Sequence, residues 1–182
     1  NMLGCHDGIP LLDLKGLLPE EEIQSLIERI VSRGGMVKNL HGQKNLYYQV
    51  NATYYSALGE SDEKMLLARA IQMFMPGKPQ VWYLDLFAGK NDHEAVRRAG
   101  ESGHKEINRT NLSTDQIAED LKKDVVQKQL ALIRMRNTHK AFSEGAEVAI
   151  SGGESSLQIR WEYNSAFATL NVNFESGTYT IV

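Results

Sequence analysis

The feature that most constrains this chain is one run, Pro79-Gln80-Val81-Trp82-Tyr83-Leu84-Asp85-Leu86-Phe87-Ala88-Gly89-Lys90-Asn91-Asp92, continued by His104-Lys105-Glu106-Ile107-Asn108-Arg109. After Pro79 an apolar, aromatic stretch predicts a short buried strand, which breaks into a Gly-, Asn- and Asp-rich segment. A buried strand whose C-terminal end opens into a long polar loop is how a parallel α/β barrel builds an active-site wall. Upstream, Ser61 to Met75 reads as a helix apolar on most sides (Met65, Leu66, Leu67, Ala70, Ile71, Phe74), hence mostly buried. Pro76-Gly77 stops it, and the helix-then-strand order is the repeating unit of a parallel sheet.

The remaining segments fit around that unit. Met2 to Cys5 reads as the end of a buried strand, with His6-Asp7-Gly8-Ile9-Pro10 as its exit loop. Pro19 suits a helix start, Glu20, Glu21 and Glu22 offset the dipole of a first turn, and Ile23, Leu26, Ile27, Ile30 and Val31 recur at helical spacing. Gly34-Gly35 ends that helix. Residues 36–46 read as a polar loop, and Tyr47 to Tyr55 as a strand, a short helix or an ordered loop. Its tyrosines either pack or line a sugar site.

Ser113-Thr114-Asp115-Gln116 is a capping box for a helix carrying Ile117 and Leu121; Asp124 caps another that ends near Asn137. From Ala146 the period changes to alternation. Leu157, Ile159, Trp161 and Tyr163 share one face, and Ala166, Ala168, Leu170, Val172 and Phe174 form a second strand after an Asn164-Ser165 turn. Thr178–Val182 follows another turn, so the chain ends in a small antiparallel sheet.

A length of 182 residues allows one domain or a domain and a half. With a net charge of −3 and Lys and Arg scattered among acids, there is no basic patch for nucleic acid. A single cysteine, Cys5, forms no internal disulfide and points to a reducing, cytoplasmic compartment. No apolar run is long enough to span a membrane, and no basic start with an apolar core marks a signal peptide. The opening inside an apolar segment is the expected start of a piece of something larger.

Two places carry possible chemistry. His6-Asp7 pairs an imidazole with a carboxylate at a strand end. It is either two hydrogen-bonding loop residues or an ionised carboxylate facing developing positive charge beside a ligand-binding histidine. Arg109 lies in a polar stretch with Asp92, His104, Lys105, Glu106 and Asn108. This is either a solvated loop, with Asp92 and Glu106 as ion-pair partners of Lys105 or Arg109, or part of the same site. The histidines lack a metal-binding spacing, and neither a Gly-rich phosphate motif nor a Gly-x-Ser-x-Gly elbow is present.

Taken together, Cys5-His6-Asp7-Gly8-Ile9, Tyr48-Gln49-Val50-Asn51-Ala52-Thr53-Tyr54-Tyr55-Ser56-Ala57-Leu58-Gly59, Pro76 to Tyr83, Ala88 to Asp92 and Ile107-Asn108-Arg109 resemble, in order, the sucrose phosphorylase group of glycoside hydrolase family 13. The resemblance implies the last units of a (β/α)8 TIM barrel over residues 1–140 and a C-terminal antiparallel β domain over 141–182; a whole barrel takes on the order of 250 residues. It implies a retaining glucosyl-transferring phosphorylase, in which a carboxylate attacks the anomeric carbon, an acid protonates the leaving group, and phosphate takes the glucosyl unit as α-glucose 1-phosphate. On this resemblance Asp7 is the third carboxylate that stabilises the transition state, His6 binds sugar hydroxyls, Arg109 holds the far side of the glucose ring, and Tyr48 and Gln49 belong to the loop that meets phosphate or acceptor.

The nucleophile and general acid have no counterpart here, so the chain by itself is expected to be inactive. The implied partners are a small glucoside and phosphate as co-substrate, without metal or organic cofactor, in a possible homodimer.

The departures bear on the acceptor. Leu46-Tyr47-Tyr48-Gln49 stands where the group typically has Asp-Leu-Tyr-Gln, and His104-Lys105-Glu106-Ile107-Asn108-Arg109-Thr110 where it has Gly-Arg-Asp-Ile-Asn-Arg-His. Loss of the loop aspartate suits an anionic acceptor, glycerate or a sugar phosphate, and the wording of Trp82–Leu86 and His104–Asn111 resembles the glucosylglycerate phosphorylase branch. A family 13 hydrolase and a non-catalytic carbohydrate- or partner-binding module are the alternatives.

Overall fold

The computed structural model describes residues 1–39 and 47–182. In chain order its main elements are β1 (Ile9–Pro10), α1 (Glu20–Ser32), β2 (Met36–Asn39), β3 (Tyr47–Asn51), α2 (Tyr54–Ala57), α3 (Asp62–Phe74), α4 (Tyr83–Leu86), α5 (His93–Ala99), a 3-10 segment (Gly100–Asn108), α6 (Thr114–Asp120), α7 (Asp124–Thr138), β4 (Glu147–Gly153), β5 (Ser156–Tyr163), β6 (Ala166–Asn173) and β7 (Thr178–Ile181). The chain divides into two units, residues 3–61 with 81–121, and residues 1–2 and 62–80 with 122–182.

In the first unit α1 begins after Pro19, with Glu20, Glu21 and Glu22 in its first turn as the sequence predicts. Gly34, at φ 88°, turns the chain out of it in a conformation open to glycine at little cost. Ile23, Ile27 and Ile30 are buried, each worth on the order of 2 kcal/mol. Leu26 and Val31, expected on the same face, stay 37% and 41% exposed. The buried stripe packs with Leu11, Val50, Ala52 and Ala57. Val50 and Ala52 continue from β3, the central strand of an antiparallel sheet ordered β1-β3-β2. The polar loop expected after Gly35 is thus partly strand, Met36–Asn39, paired with β3; the remaining loop residues, 40–46, lie outside the described ones.

The strand expected after Pro79 is not formed. Gln80 makes a single bridge, and Tyr83–Leu86 is one helical turn, with Leu86 N–H donating to the Trp82 carbonyl at 3.1 Å. A short apolar run does not by itself distinguish strand from buried helix. Here the hydrogen bonds settle it, because Leu86 N–H and Phe87 N–H donate to the Trp82 and Tyr83 carbonyls four residues back, each at 3.1 Å, the pattern of a helical turn. The turn is tied to β3 and α2: Asp85 Oδ1 accepts from Tyr54 N–H at 2.8 Å, Asn91 Oδ1 accepts from Thr53 N–H at 2.8 Å, and Ser56 Oγ accepts from Asn91 N–H at 3.0 Å. Thr53 itself caps α2.

The second unit holds the C-terminal sheet, an antiparallel meander ordered β4-β5-β6-β7. Its register sets Leu157, Ile159 and Trp161 opposite Val172, Leu170 and Ala168, so the two alternating runs share one face. Ile159, Trp161, Ala168, Leu170 and Val172 are buried, and the indole N–H of Trp161 donates to the Phe74 carbonyl at the end of α3 at 2.6 Å. Arg136 lies over the rings of Phe142 and Trp161. Arg69 of α3 is fully buried; its Nε donates to Gln129 of α7 at 2.8 Å, and a second nitrogen to Gln72. Gln72 in turn donates to the Gln80 carbonyl at 2.9 Å. Of the parallel order expected of α/β units, the described residues show an isolated parallel bridge between Met2 and Gln80 after α3; both sheets are antiparallel. Among the described residues no helix is long and apolar enough to cross a membrane.

Candidate functional site

Four residues of the first unit, Cys5-His6-Asp7-Gly8, make a tight turn closed by a pair of backbone hydrogen bonds. Cys5 N–H donates to the Gly8 carbonyl at 3.1 Å and Gly8 N–H to the Cys5 carbonyl at 2.9 Å. His6 and Asp7 are therefore the two loop residues of a closed turn. Gly8 is required: it sits at φ 99°, and a Cβ there would lie 2.3 Å from the Val50 carbonyl oxygen of β3. Two buried amides fix the turn from behind. Asn51 Nδ2 donates to the Asp7 carbonyl at 2.7 Å and Asn108 Nδ2 to the Cys5 carbonyl at 2.7 Å.

The 3-10 segment and the residue after it supply the charges. Asp7 Oδ1 accepts from Lys105 Nζ at 2.6 Å and from Arg109 at 3.1 Å. Asp7 Oδ2 lies 3.2 Å from His6 Nε2. Arg109 Nε donates to the His6 carbonyl at 3.0 Å, and Glu106 lies 3.6 Å from the same guanidinium. The hydrogen bond from Lys105 holds the Asp7 carboxyl below the usual carboxylate range, against the opposing effect of burial, with further help from the charges of Lys105, His6 and Arg109. Asp7 and Arg109 keep 32% of their side-chain surface exposed and Lys105 37%, so these pairs contribute little to folding stability. Their effect is to keep an ionised, oriented carboxylate where a ligand can reach it.

Trp82 closes one side: its ring centroid is 6.0 Å from that of His6, and its indole N–H donates to the Asn108 carbonyl at 3.1 Å. Beside it the Tyr83 hydroxyl donates to the Thr110 carbonyl at 2.6 Å, and burial pushes its phenol pKa up.

The structure thus brings together His6, Asp7 and Arg109, residues read from sequence positions about a hundred apart. Glu106 is the ion-pair partner of Arg109 that one reading allowed. Asp92 instead caps α5, accepting from Ala95 N–H at 2.8 Å, and also accepts from the Thr110 hydroxyl at 3.2 Å; the Ala95 bond lowers its pKa. Gln49 is buried in β3, 5% exposed, opposite Pro10 and Lys38. Tyr48 lies in the same strand, and its side chain is outside the described residues. Sequence reasoning left Asn51 and Trp82 without a role. Their signal was position alone: each lies in a stretch of the family-like wording, and only the fold shows which atoms they hold. Among the described residues no group of three or more His, Cys, Asp or Glu side chains forms a metal site.

Chemically, the cluster offers a carboxylate and an imidazole on one turn, with an ammonium and a guanidinium brought to it from the 3-10 segment and its end. Such a set has the chemistry to hydrogen-bond a polyhydroxylated ligand and to offer an ionised carboxylate to developing positive charge.

No protein-family model matches the chain. A sucrose 6(F)-phosphate phosphorylase of Ilumatobacter coccineus is 54% identical over 190 residues, covering 100% of this chain and 36% of that protein. The crystal structure of sucrose 6F-phosphate phosphorylase from Thermoanaerobacter thermosaccharolyticum matches with a TM-score of 0.92 and 40% identity, over 99% of this chain and 36% of that one. A glucosylglycerate phosphorylase of Escherichia coli is 31% identical over 172 residues, covering 86% of this chain and 30% of that protein. The chain therefore spans about a third of the length of these relatives. The likeness to the glucosylglycerate branch is weaker than the likeness to the sucrose 6F-phosphate enzymes.

Proposed function

This chain belongs to the sucrose phosphorylase and glucosylglycerate phosphorylase group, where it corresponds to the C-terminal portion, and from that premise we propose that it carries the glucose-facing wall of a retaining α-glucoside phosphorylase. The reaction is glucoside plus phosphate giving α-glucose 1-phosphate and the released acceptor. An enzyme carboxylate displaces the acceptor at the anomeric carbon, an acid gives the leaving oxygen its proton, and phosphate then displaces the carboxylate. The nucleophile and acid come from the rest of the protein's barrel, so this chain alone does not turn over. The site works in a cytoplasmic enzyme without metal or organic cofactor.

In this reading Asp7 stays ionised and faces the oxocarbenium-like centre, His6 hydrogen-bonds sugar hydroxyls, and Arg109 holds both the turn and the far side of the ring. Tyr48 and Gln49 lie in β3, and the family resemblance gives them the contact with phosphate or acceptor. The observation that carries the reading is the convergence of His6, Asp7 and Arg109 on one turn, with Asp7 Oδ1 already bound to two cations. The acceptor is a sugar phosphate: sucrose 6F-phosphate is the substrate in the name of the relative at 54% identity, and the absence of an acid at Leu46 agrees with an anionic acceptor.

The experiment is product analysis of the complete natural protein with sucrose 6F-phosphate, with and without phosphate. Phosphate-dependent α-glucose 1-phosphate supports the phosphorylase. Free glucose regardless of phosphate moves the hydrolase ahead, and no product moves the non-catalytic module ahead.

A further inference from the structure

The geometry points to Lys105 as a positioning residue that fixes the plane of the Asp7 carboxylate toward the sugar, an inference that rests on the phosphorylase reading for its role in turnover. The main chain of the turn is immobilised by other groups: Asn108 holds the Cys5 carbonyl, Arg109 Nε the His6 carbonyl and Asn51 the Asp7 carbonyl. What stays undetermined is the angle of the carboxylate plane, because the terminal torsion of an aspartate is broad. Lys105 and Arg109 both bond to Oδ1, and Lys105 makes the shorter bond, 2.6 Å against 3.1 Å. Two donors on one oxygen narrow that torsion and leave the other oxygen beside His6 Nε2 at 3.2 Å. Arg109 is already committed through Nε to the His6 carbonyl and lies near Glu106, which leaves Lys105 as the stronger determinant of the orientation.

The charged and titratable groups facing Asp7 are Lys105 and Arg109 from the 3-10 segment and its end, and His6 from its own turn; Glu106 faces Arg109, and the Cys5 sulfur accepts from Asp7 N–H at 3.4 Å. Removing Lys105 takes away both the orienting bond and the group that most favours the ionised form.

The test uses the complete natural protein as parent and as Lys105→Met, Lys105→Arg and Lys90→Met variants. Lys90 pairs with Glu60 elsewhere in the same unit and serves as a charge control. The Asp7 carboxyl carbon is followed by NMR across pH, assigned by its loss in Asp7→Asn, and kcat and KM are measured across the same range. The inference expects the Asp7 midpoint to move to higher pH in Lys105→Met, to return toward the parent in Lys105→Arg, and to stay put in Lys90→Met. With it, kcat in Lys105→Met falls on the order of 10- to 100-fold with KM little changed, the scale of a misplaced reacting group, and the acid limb moves with the midpoint. An unmoved midpoint overturns the inference, as does a moved midpoint with parent-like kcat at every pH. If the parent releases no glucose 1-phosphate while the midpoint moves as expected, the orienting contact stands and the phosphorylase reading falls.

Discussion

The Lys105 ammonium and the Asp7 carboxylate, 98 residues apart in sequence, meet at 2.6 Å on the oxygen that also takes the Arg109 guanidinium. This contact joins the first turn of the chain to the polar segment after α5, and it makes the two candidate places in the sequence one site. The predictions below follow from it and from the packing that holds it.

Asp7→Asn keeps the size of the side chain and removes its charge. In the complete protein it lowers kcat by about 10²- to 10³-fold, the scale of losing one electrostatic contact to a transition state. The thermal midpoint changes little, because Asp7 is a third exposed and its pairs add little stability. Turnover within a few-fold of the parent would remove Asp7 from its role.

The Asp7 pKa lies below the usual carboxylate range, chiefly through the hydrogen bond from Lys105. A group with a depressed folded pKa contributes stability above its unfolded pKa, about 3.9, and loses it as pH falls through the folded value. Activity that needs ionised Asp7 therefore persists to a pH below the ordinary aspartate value where the rest of the enzyme allows it. High salt, which screens partly exposed charges, moves that acid limb upward. A limb insensitive to salt in kcat/KM profiles contradicts this assignment.

Gly8→Ala tests the close approach of the turn to β3. The added Cβ meets the Val50 carbonyl at 2.3 Å from a backbone at φ 99°. The expected loss is about 1–3 kcal/mol in urea unfolding, with the site disturbed further because His6 and Asp7 move with the turn. Unchanged stability would mean that the turn is not held against the strand.

Arg109→Ala removes the bond to the His6 carbonyl together with one of the two cations on Asp7. The proposed glucosyl-side role predicts that kcat/KM falls for every donor by a similar factor. A loss confined to one acceptor would put Arg109 on the wrong side of the site.

In the second unit, Trp161→Phe keeps the apolar bulk and deletes the donor to the Phe74 carbonyl, a 2.6 Å bond in a buried setting. Leaving that carbonyl unpaired costs about 1–3 kcal/mol. Equilibrium unfolding measures it, and a change near zero would show that the carbonyl finds another donor.

Local signals read well where one signal suffices. The glutamates and Pro19 mark the start of α1, Ser113 caps α6 by accepting from Gln116 N–H, and the alternation from Leu157 to Val172 gives the register of β5 and β6. The second half of the capping box is absent, since the Gln116 side chain turns to Asp120. The run after Pro79 misled because its apolar residues suit a strand, while the partners that settle it as a helical turn, Tyr54, Asn108 and Thr110, are distant in sequence. Asp7, His6 and Arg109 were legible as a set only through resemblance to a family. The contact of Lys105 with Asp7 had no local signal at all, and beside the branch wording of residues 82–86 and 104–111 stand identities of 54% and 38% to sucrose 6(F)-phosphate phosphorylases and 31% to a glucosylglycerate phosphorylase.

The most direct measurement is donor preference in the complete natural protein. Sucrose 6F-phosphate, sucrose and 2-O-α-glucosylglycerate are each supplied with phosphate, and α-glucose 1-phosphate is followed. The account predicts release from sucrose 6F-phosphate with the highest kcat/KM. Preference for glucosylglycerate or sucrose would contradict the assigned acceptor, and no glucose 1-phosphate from any donor would contradict the function itself.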